Sequence, residues 1–241
     1  MLIEFSVANF LSFKDRVTFS MVASNDDALQ ESNVFEWGKR RLVKSAVVYG
    51  ANASGKSNLL GAMYCMHLMA LTSSKDTQAN EEIDVDSFKL STTHEGRPSF
   101  FEIVFIQSGK AYRYGFEADR AKVHAEWLFT VPKTKEAELF VREGNKIKVN
   151  LARFKEGRGL EDKTRNNALF LSVCAQFNGM ISMSILSWFR NFRFISGLYD
   201  YKYLDMTVDN LKVAEQKRRI MELTRIADLC IADLDGRKEK W

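Results

Sequence analysis

The sequence is poor in the residues that punctuate or cross-link a chain. It has only 2 prolines, 13 glycines and 3 cysteines in 241 residues, which excludes collagen-like, low-complexity and disulfide-scaffold proteins. The cysteines, Cys65, Cys174 and Cys230, are far apart in apolar, helix-like contexts and read as plain buried thiols. The 3 histidines, His67, His94 and His124, are equally scattered, and none stands at zinc-ligand spacing from a cysteine or carboxylate. His124-Ala-Glu126 matches half of a deaminase signature, but no P-C-x-x-C follows. A transition-metal site is therefore not expected. No apolar run approaches the roughly 18 residues that a spanning helix needs. The opening MLIEFSVANF has Glu4 inside its apolar stretch and no basic leader. We expect a cytoplasmic protein with no membrane partner.

What is present is enough to bury a core. Hydrophobic residues make up 46% of the chain and charged residues 27%, consistent with one or two domains. The net charge of +4 and pI near 8.9 permit contact with DNA or RNA without requiring it. Basic residues cluster at Lys39 to Lys44, Lys155 to Arg165 and Lys217 to Arg219; a solvated face is the simplest reading of each.

Periodicity orders the chain into strands, a glycine loop with its helix, more strands, then helices. Leu2 to Ala8 alternates and Arg16 to Met21 is strand-like, so a hairpin is expected around Asn9 to Asp15. Leu42 to Tyr49 ends in a continuous apolar run, the pattern of a strand buried on both faces. The segment after Lys56 is apolar on nearly all sides with little β-branching and predicts a buried helix ending near Thr72. Ser73 to Glu82 is polar and reads as a mobile loop. Phe100 to Val149 holds five strand-like runs separated by turn signals, an antiparallel meander. From Asn167 the pattern is helical, with Val208 to Leu234 as one stretch. The expected domains are 1–160, a lobe that holds the glycine loop and the antiparallel sheet, and 161–241, a helical segment.

Gly50-Ala51-Asn52-Ala53-Ser54-Gly55-Lys56-Ser57 satisfies G-x-x-x-x-G-K-[ST] between a predicted strand and a predicted helix, the context that the motif requires. The two glycines let the backbone turn tightly around phosphates. The helix N-terminus then presents N–H groups and the positive end of its dipole to the anion. Lys56 is expected at the β- and γ-phosphates of ATP and Ser57 at Mg²⁺. Chance would place such a string in a chain this long about once in a hundred.

Three classes share this motif: GTPases, small kinases, and ATPases of ABC or SMC type. The nearest guanine-reading string, Asn145-Lys-Ile-Lys148, lacks its aspartate, and the loop begins later than in a small kinase. The opening Ile3 to Asp15 (IEFSVANFLSFKD), followed by VTFSM and VVYGANASGKSNLL, resembles the start of RecF, of the overcoming-lysogenization-defect ATPases and of the AAA-type ATPases of bacterial defence operons. Asn52 and Asn58 match the loop subtype of that family, and YRYGFE, the strand around Glu126 and the segment around Gln176 extend the likeness.

The resemblance implies an α/β P-loop NTPase of ABC/SMC type: an N-terminal lobe with a mixed central sheet, an antiparallel meander and a C-terminal helical segment. It places Ser12 and Phe13 beside the nucleotide, and implies that Gln176, where strands give way to helices, reaches Mg²⁺ and the attacking water. It implies as partners a second ATPase head, a nuclease or other effector, and DNA or RNA. Hydrolysis in this family needs an Asp-Glu-ended Walker B strand, a signature loop and a switch histidine, and none is recognisable. Leu229-Cys-Ile-Ala-Asp233 imitates the first, but Leu234 stands in place of the glutamate and the spacing continues a helix. We therefore expect the N-terminal, nucleotide-gripping part of such a head. The alternatives are an ATP-responsive nucleic-acid clamp and a small P-loop kinase.

Overall fold

A computed structural model of the chain describes residues 1–26, 30–92, 94, 96–131, 135–195, 201–227 and 231–235. The chain divides into two compact units, Met1–Phe192 and Arg193–Trp241.

The first unit is built on a seven-stranded sheet: β1 (Leu2–Ala8), β2 (Val17–Ser20), β5 (Ser99–Gln107), β6 (Lys110–Ala118), β7 (Val123–Val131), β8 (Ala137–Glu143) and β9 (Lys146–Val149). Its spatial order is β2-β1-β5-β6-β7-β8-β9. Every pairing is antiparallel, so the expected hairpin and meander form but the sheet is not mixed. Alternation decides which face is covered. Ile3, Phe5 and Val7 on β1, Phe101, Ile103 and Phe105 on β5, and Tyr114 and Phe116 on β6 are buried on the inner face.

Helices close over that face. They are α2 (Lys56–Thr72), α3 (Phe170–Gln176) and α4 (Met180–Arg190); a helical turn, α1 (Gln30–Asn33), lies earlier in the chain. Trp188 stacks on Phe105 with ring centroids 4.3 Å apart, and Phe170 meets Phe140 edge-on at 4.9 Å, geometries that add to simple area burial. The outer face carries a mixed polar and aromatic layer. Glu102 accepts from Arg16, Arg113 and the Trp127 indole, and the Arg113 guanidinium also lies 4.3 Å from the Phe129 ring centroid. Gly115 is required beneath this layer, because a Cβ there would lie 2.5 Å from the Trp127 ring and 2.7 Å from the Phe101 carbonyl oxygen.

One buried carboxylate ties sheet to helices. Glu126, on the inner face of β7 and fully buried, accepts from the Tyr114 hydroxyl and from the N–H groups of Phe170 and Leu171, the first turn of α3. It does from a distance what a capping side chain does locally. Burial pushes its carboxyl above the ordinary value, while Arg142 and these hydrogen bonds pull it back. Opposite it in the register, buried Arg142 donates to the carbonyls of Gly144, Arg165, Asn166 and Ala168.

Further sequence expectations need correction. The strand expected over 42–49 ends early: β4 (Arg40–Val43) pairs only with β3 (Val34–Trp37) in a separate hairpin. Residues 45–50 are irregular, with Val47 85% and Tyr49 90% exposed. A continuous apolar run predicts two-sided burial only where flanking strands exist, and among the described residues none pairs with 45–50.

The segment Ser73 to Glu82 is anchored, not mobile. Arg165 donates to the carbonyls of Ser73, Ser74 and Thr77, and Asn167 donates to those of Gln78 and Glu81.

The division falls after residue 192, beyond the boundary expected at 160, because α3 and α4 pack with the sheet and α2.

In the second unit the single expected helical stretch is two amphipathic helices, α5 (Tyr201–Leu211) and α6 (Ala214–Ile226), broken at Lys212–Val213. Of the helix expected through Leu229 to Asp233, 231–233 are non-helical, with Asp233 paired to Lys217 at 2.9 Å. Cys230 and the start of that string lie outside the described residues. Among the described residues no single helix is long and apolar enough to cross a membrane.

Candidate functional site

The site is assembled from two turns that face each other. The first is the β1–β2 turn, and its residues explain the N-F-L-S-F string one by one. Asn9 and Leu11 take left-handed backbone angles, φ 49° and 47°, which bend the chain sharply. Asn tolerates this conformation well; leucine does so at a cost. The Asn9 side-chain nitrogen donates to the carbonyls of Arg97 and Pro98, and the Asn9 backbone carbonyl accepts from the Ser99 hydroxyl. Phe10 is buried edge-on against Phe101 at 5.2 Å. The Leu11 N–H reaches the Asp86 carbonyl at 2.9 Å. With these anchored, Ser12 and Phe13 project from the turn.

The second is the glycine loop, 50–55, leading into α2. The helix forms because Leu, Ala and Met dominate and only Thr72, at its end, is β-branched. It starts without a side-chain cap at Gly55, whose φ of 92° opens the left-handed region. Its leading N–H groups are thus left for another acceptor. Ala53 also has a positive φ, 63°, and strain of this kind concentrates at functional sites. Ser54 packs on Gly50, where a Cβ would lie 3.1 Å from its Oγ. The Lys56 ammonium folds back to donate to the carbonyls of Gly50 (2.8 Å) and Ala51 (2.7 Å). This holds the loop curled around a cationic centre while residues 50–54 and Ser57 remain exposed.

The two turns touch. A Cβ on Gly55 would stand 3.0 Å from Ser12 Oγ and 3.6 Å from the Phe13 ring, and Asn58 donates to Ser12 Oγ at 2.8 Å. Gly50 to Asn58, Ser12 and Phe13 are therefore brought together. Asn58 serves here as the strut between turn and helix, a role that its place in the loop subtype did not indicate.

Gln176 is not brought to the loop. It ends α3 exposed. Helix α3 is tied to the opposite end of α2, where Ser172 donates to Ala70 and shares a hydrogen bond with Ser73. Ala70 lies 14 residues beyond Lys56, about 21 Å along a helix. The placement by resemblance marked the sheet-to-helix joint, but that joint is at the far end of the helix.

Sequence reasoning missed Glu126 as the residue that seats α3. Its one signal was an acid at an inward position of an alternating strand, where an apolar residue is the norm.

The loop's curl, its cationic centre and its uncapped helix suit a polyphosphate; the hydroxyl of Ser57, next to Lys56, suits a hard cation. A search of curated proteins found no match. Residues 45–230, well over half of the chain and including the loop and α2, match the family described as AAA domain, putative AbiEii toxin, Type IV TA system. An AAA domain is a P-loop ATPase domain that uses nucleotide and, typically, Mg²⁺. The chain belongs to this AAA-domain family.

Proposed function

We propose that the chain binds ATP with Mg²⁺ through Gly50 to Asn58, and that it works as the nucleotide-gripping part of an SMC-like, RecF-type ATPase head acting with a second copy in phage defence. The observation that carries the grip is the Lys56 ammonium held at the centre of an exposed glycine loop by the Gly50 and Ala51 carbonyls. Lys56 is the residue that would hold the β- and γ-phosphates, the first N–H groups of α2 would hold the remaining anionic oxygens, and Ser57 would offer its hydroxyl to Mg²⁺. Ser12 and Phe13 stand where they would border the nucleotide. The bound nucleotide supplies the phosphoanhydride; the chain's part is to orient it and neutralise its charge.

The opening N-F-L-S-F turn supports the SMC-like subtype, because its Ser12 and Phe13 lie against the loop at Gly55. The role in defence, gating a nuclease or other effector, rests on the sequence resemblance. A second ATPase head is the expected partner by the same resemblance, and because this chain shows no recognisable Asp-Glu strand or signature loop, the groups that activate water are expected to come from outside it. The chain assayed alone is expected to bind ATP with negligible turnover. Calorimetric titration and phosphate release on the same preparation test this. Saturable binding without release is the expected result; ATP hydrolysis by the isolated chain that Lys56→Ala abolishes would overturn the reading of this chain as a nucleotide-gripping part without turnover of its own.

A further inference from the structure

A second concave site lies along α2, away from the glycine loop. A cavity of about 340 Å³, within the range of small-molecule pockets, is walled by Phe10, Leu11, Leu68 and Met69 and bordered by Cys65, Asp84, Asp86 and Asn167. It shares no residue with Gly50 to Asn58.

Its polar groups are biased toward accepting. Asn167 is 1% exposed and its side-chain nitrogen is committed to the Gln78 and Glu81 carbonyls. Carbonyls only accept, so those bonds fix which end of the amide is nitrogen. They leave the Asn167 Oδ1 buried and without a hydrogen-bond partner, on a residue that lines the cavity. A buried acceptor left unmade costs about 1–3 kcal/mol, which is a reason to look for the donor that meets it.

Two of the neighbouring donors are already used. Thr72 donates to the Leu68 carbonyl and the Cys65 thiol to that of Asp84. Burial, with Asp84 and Asp86 nearby, pushes that thiol up to about 12, so it stays neutral. At the rim Arg120 pairs with Asp86 at 2.8 Å and Glu82 at 3.7 Å, and Lys89 with Asp86 at 3.2 Å. Asp84 has no ion pair among the described residues, and no lysine or arginine lines the cavity.

We propose that this cavity binds a small organic cation, an amine or amidine on an apolar body, whose N–H groups are received by the Asn167 amide oxygen and the Asp84 carboxylate. The apolar walls take the body and the acceptors take the charged end. A neutral isostere forfeits the charge-assisted bond, roughly twice as strong as a neutral one.

Benzamidine and benzamide serve as matched probes, titrated into the full chain with ligand-observed NMR. Benzamidine is expected to saturate below about 10 mM, with benzamide at least tenfold weaker. Asp84→Asn, at an exposed position, is expected to weaken benzamidine about tenfold, and Leu68→Trp, which fills the cavity, to abolish it. Equal binding of the two probes, indifference to Asp84→Asn, binding retained by Leu68→Trp, or no saturation in the unmodified chain would each overturn the proposal. Binding of ATP takes no part in this readout, so failure here leaves the nucleotide reading standing.

Discussion

The sheet and the glycine loop belong to one compact unit, yet they are stabilised in opposite ways. The sheet buries its apolar side chains on one face and satisfies its buried charges from within, as Glu126 does with three donors. The segment leading into the loop leaves Val47 and Tyr49 in solvent, the loop holds Ala53 at a positive φ, and Lys56 at the start of α2 binds the loop's own carbonyls. The contrast implies that substitutions in the sheet register as lost stability and those in the loop as lost binding.

The largest stability loss is expected for Glu126→Ala. It deprives Tyr114, Phe170 and Leu171 of a shared buried acceptor, at roughly 1–3 kcal/mol for each group left unmade. Urea unfolding should show a fall of at least ~3 kcal/mol; a change under ~1 kcal/mol would mean that the carboxylate does not seat α3.

Next in size is Gly115→Ala, where the new methyl meets Trp127 and the Phe101 carbonyl. Overpacking of this kind costs about 1–3 kcal/mol. Because one obstacle is a side chain, Trp127→Leu in the same chain should recover part of the loss. No recovery would assign the clash to the backbone.

In the loop, Gly55→Ala places a Cβ at a positive φ and 3.0 Å from Ser12 Oγ. The backbone term alone is about 1–2 kcal/mol. We expect a modest shift in unfolding midpoint accompanied by a much larger loss of ATP binding. Unchanged ATP affinity would blur the distinction between the two regions.

The smallest effect is electrostatic and lies on the sheet's outer face. The Arg113 hydrogen bonds hold the Glu136 carboxyl below its ordinary value of 4.5. A depressed carboxyl contributes stability that is present above the ordinary value and lost as pH falls through the depressed one. Glu136 is partly exposed, so the contribution is under ~1 kcal/mol. Glu136→Gln should lower stability at neutral pH by under ~1 kcal/mol, leave stability at pH well below the depressed value unchanged, and so flatten the acid limb between them; an undiminished acid limb in the variant would contradict the assignment.

How much of this was legible in the sequence follows the range of the forces involved. Alternation in IEFSV and in the five meander runs reports local burial, and those strands form as read. The loop motif and its helix are also local, as is the N-F-L-S-F turn. What was misread depends on distant partners. Leu42 to Tyr49 carries the composition of a buried strand, but among the described residues no flanking strand pairs with its second half. Ser73 to Glu82 looks mobile until Arg165 and Asn167, some 90 residues away, are seen to hold its carbonyls. Gln176 was placed by its position between strands and helices, and chain order does not say which end of α2 that joint meets.

The central claim is that the curl around Lys56 is a polyphosphate grip. Its most direct test is a titration of the chain with ATP and Mg²⁺, comparing the unmodified protein with Lys56→Ala by calorimetry, with urea unfolding as a control. We expect saturable binding that falls at least tenfold, about 1.4 kcal/mol, in a variant whose stability changes by less than ~0.5 kcal/mol. ATP binding that survives Lys56→Ala unchanged, or no binding by the unmodified chain, would contradict it.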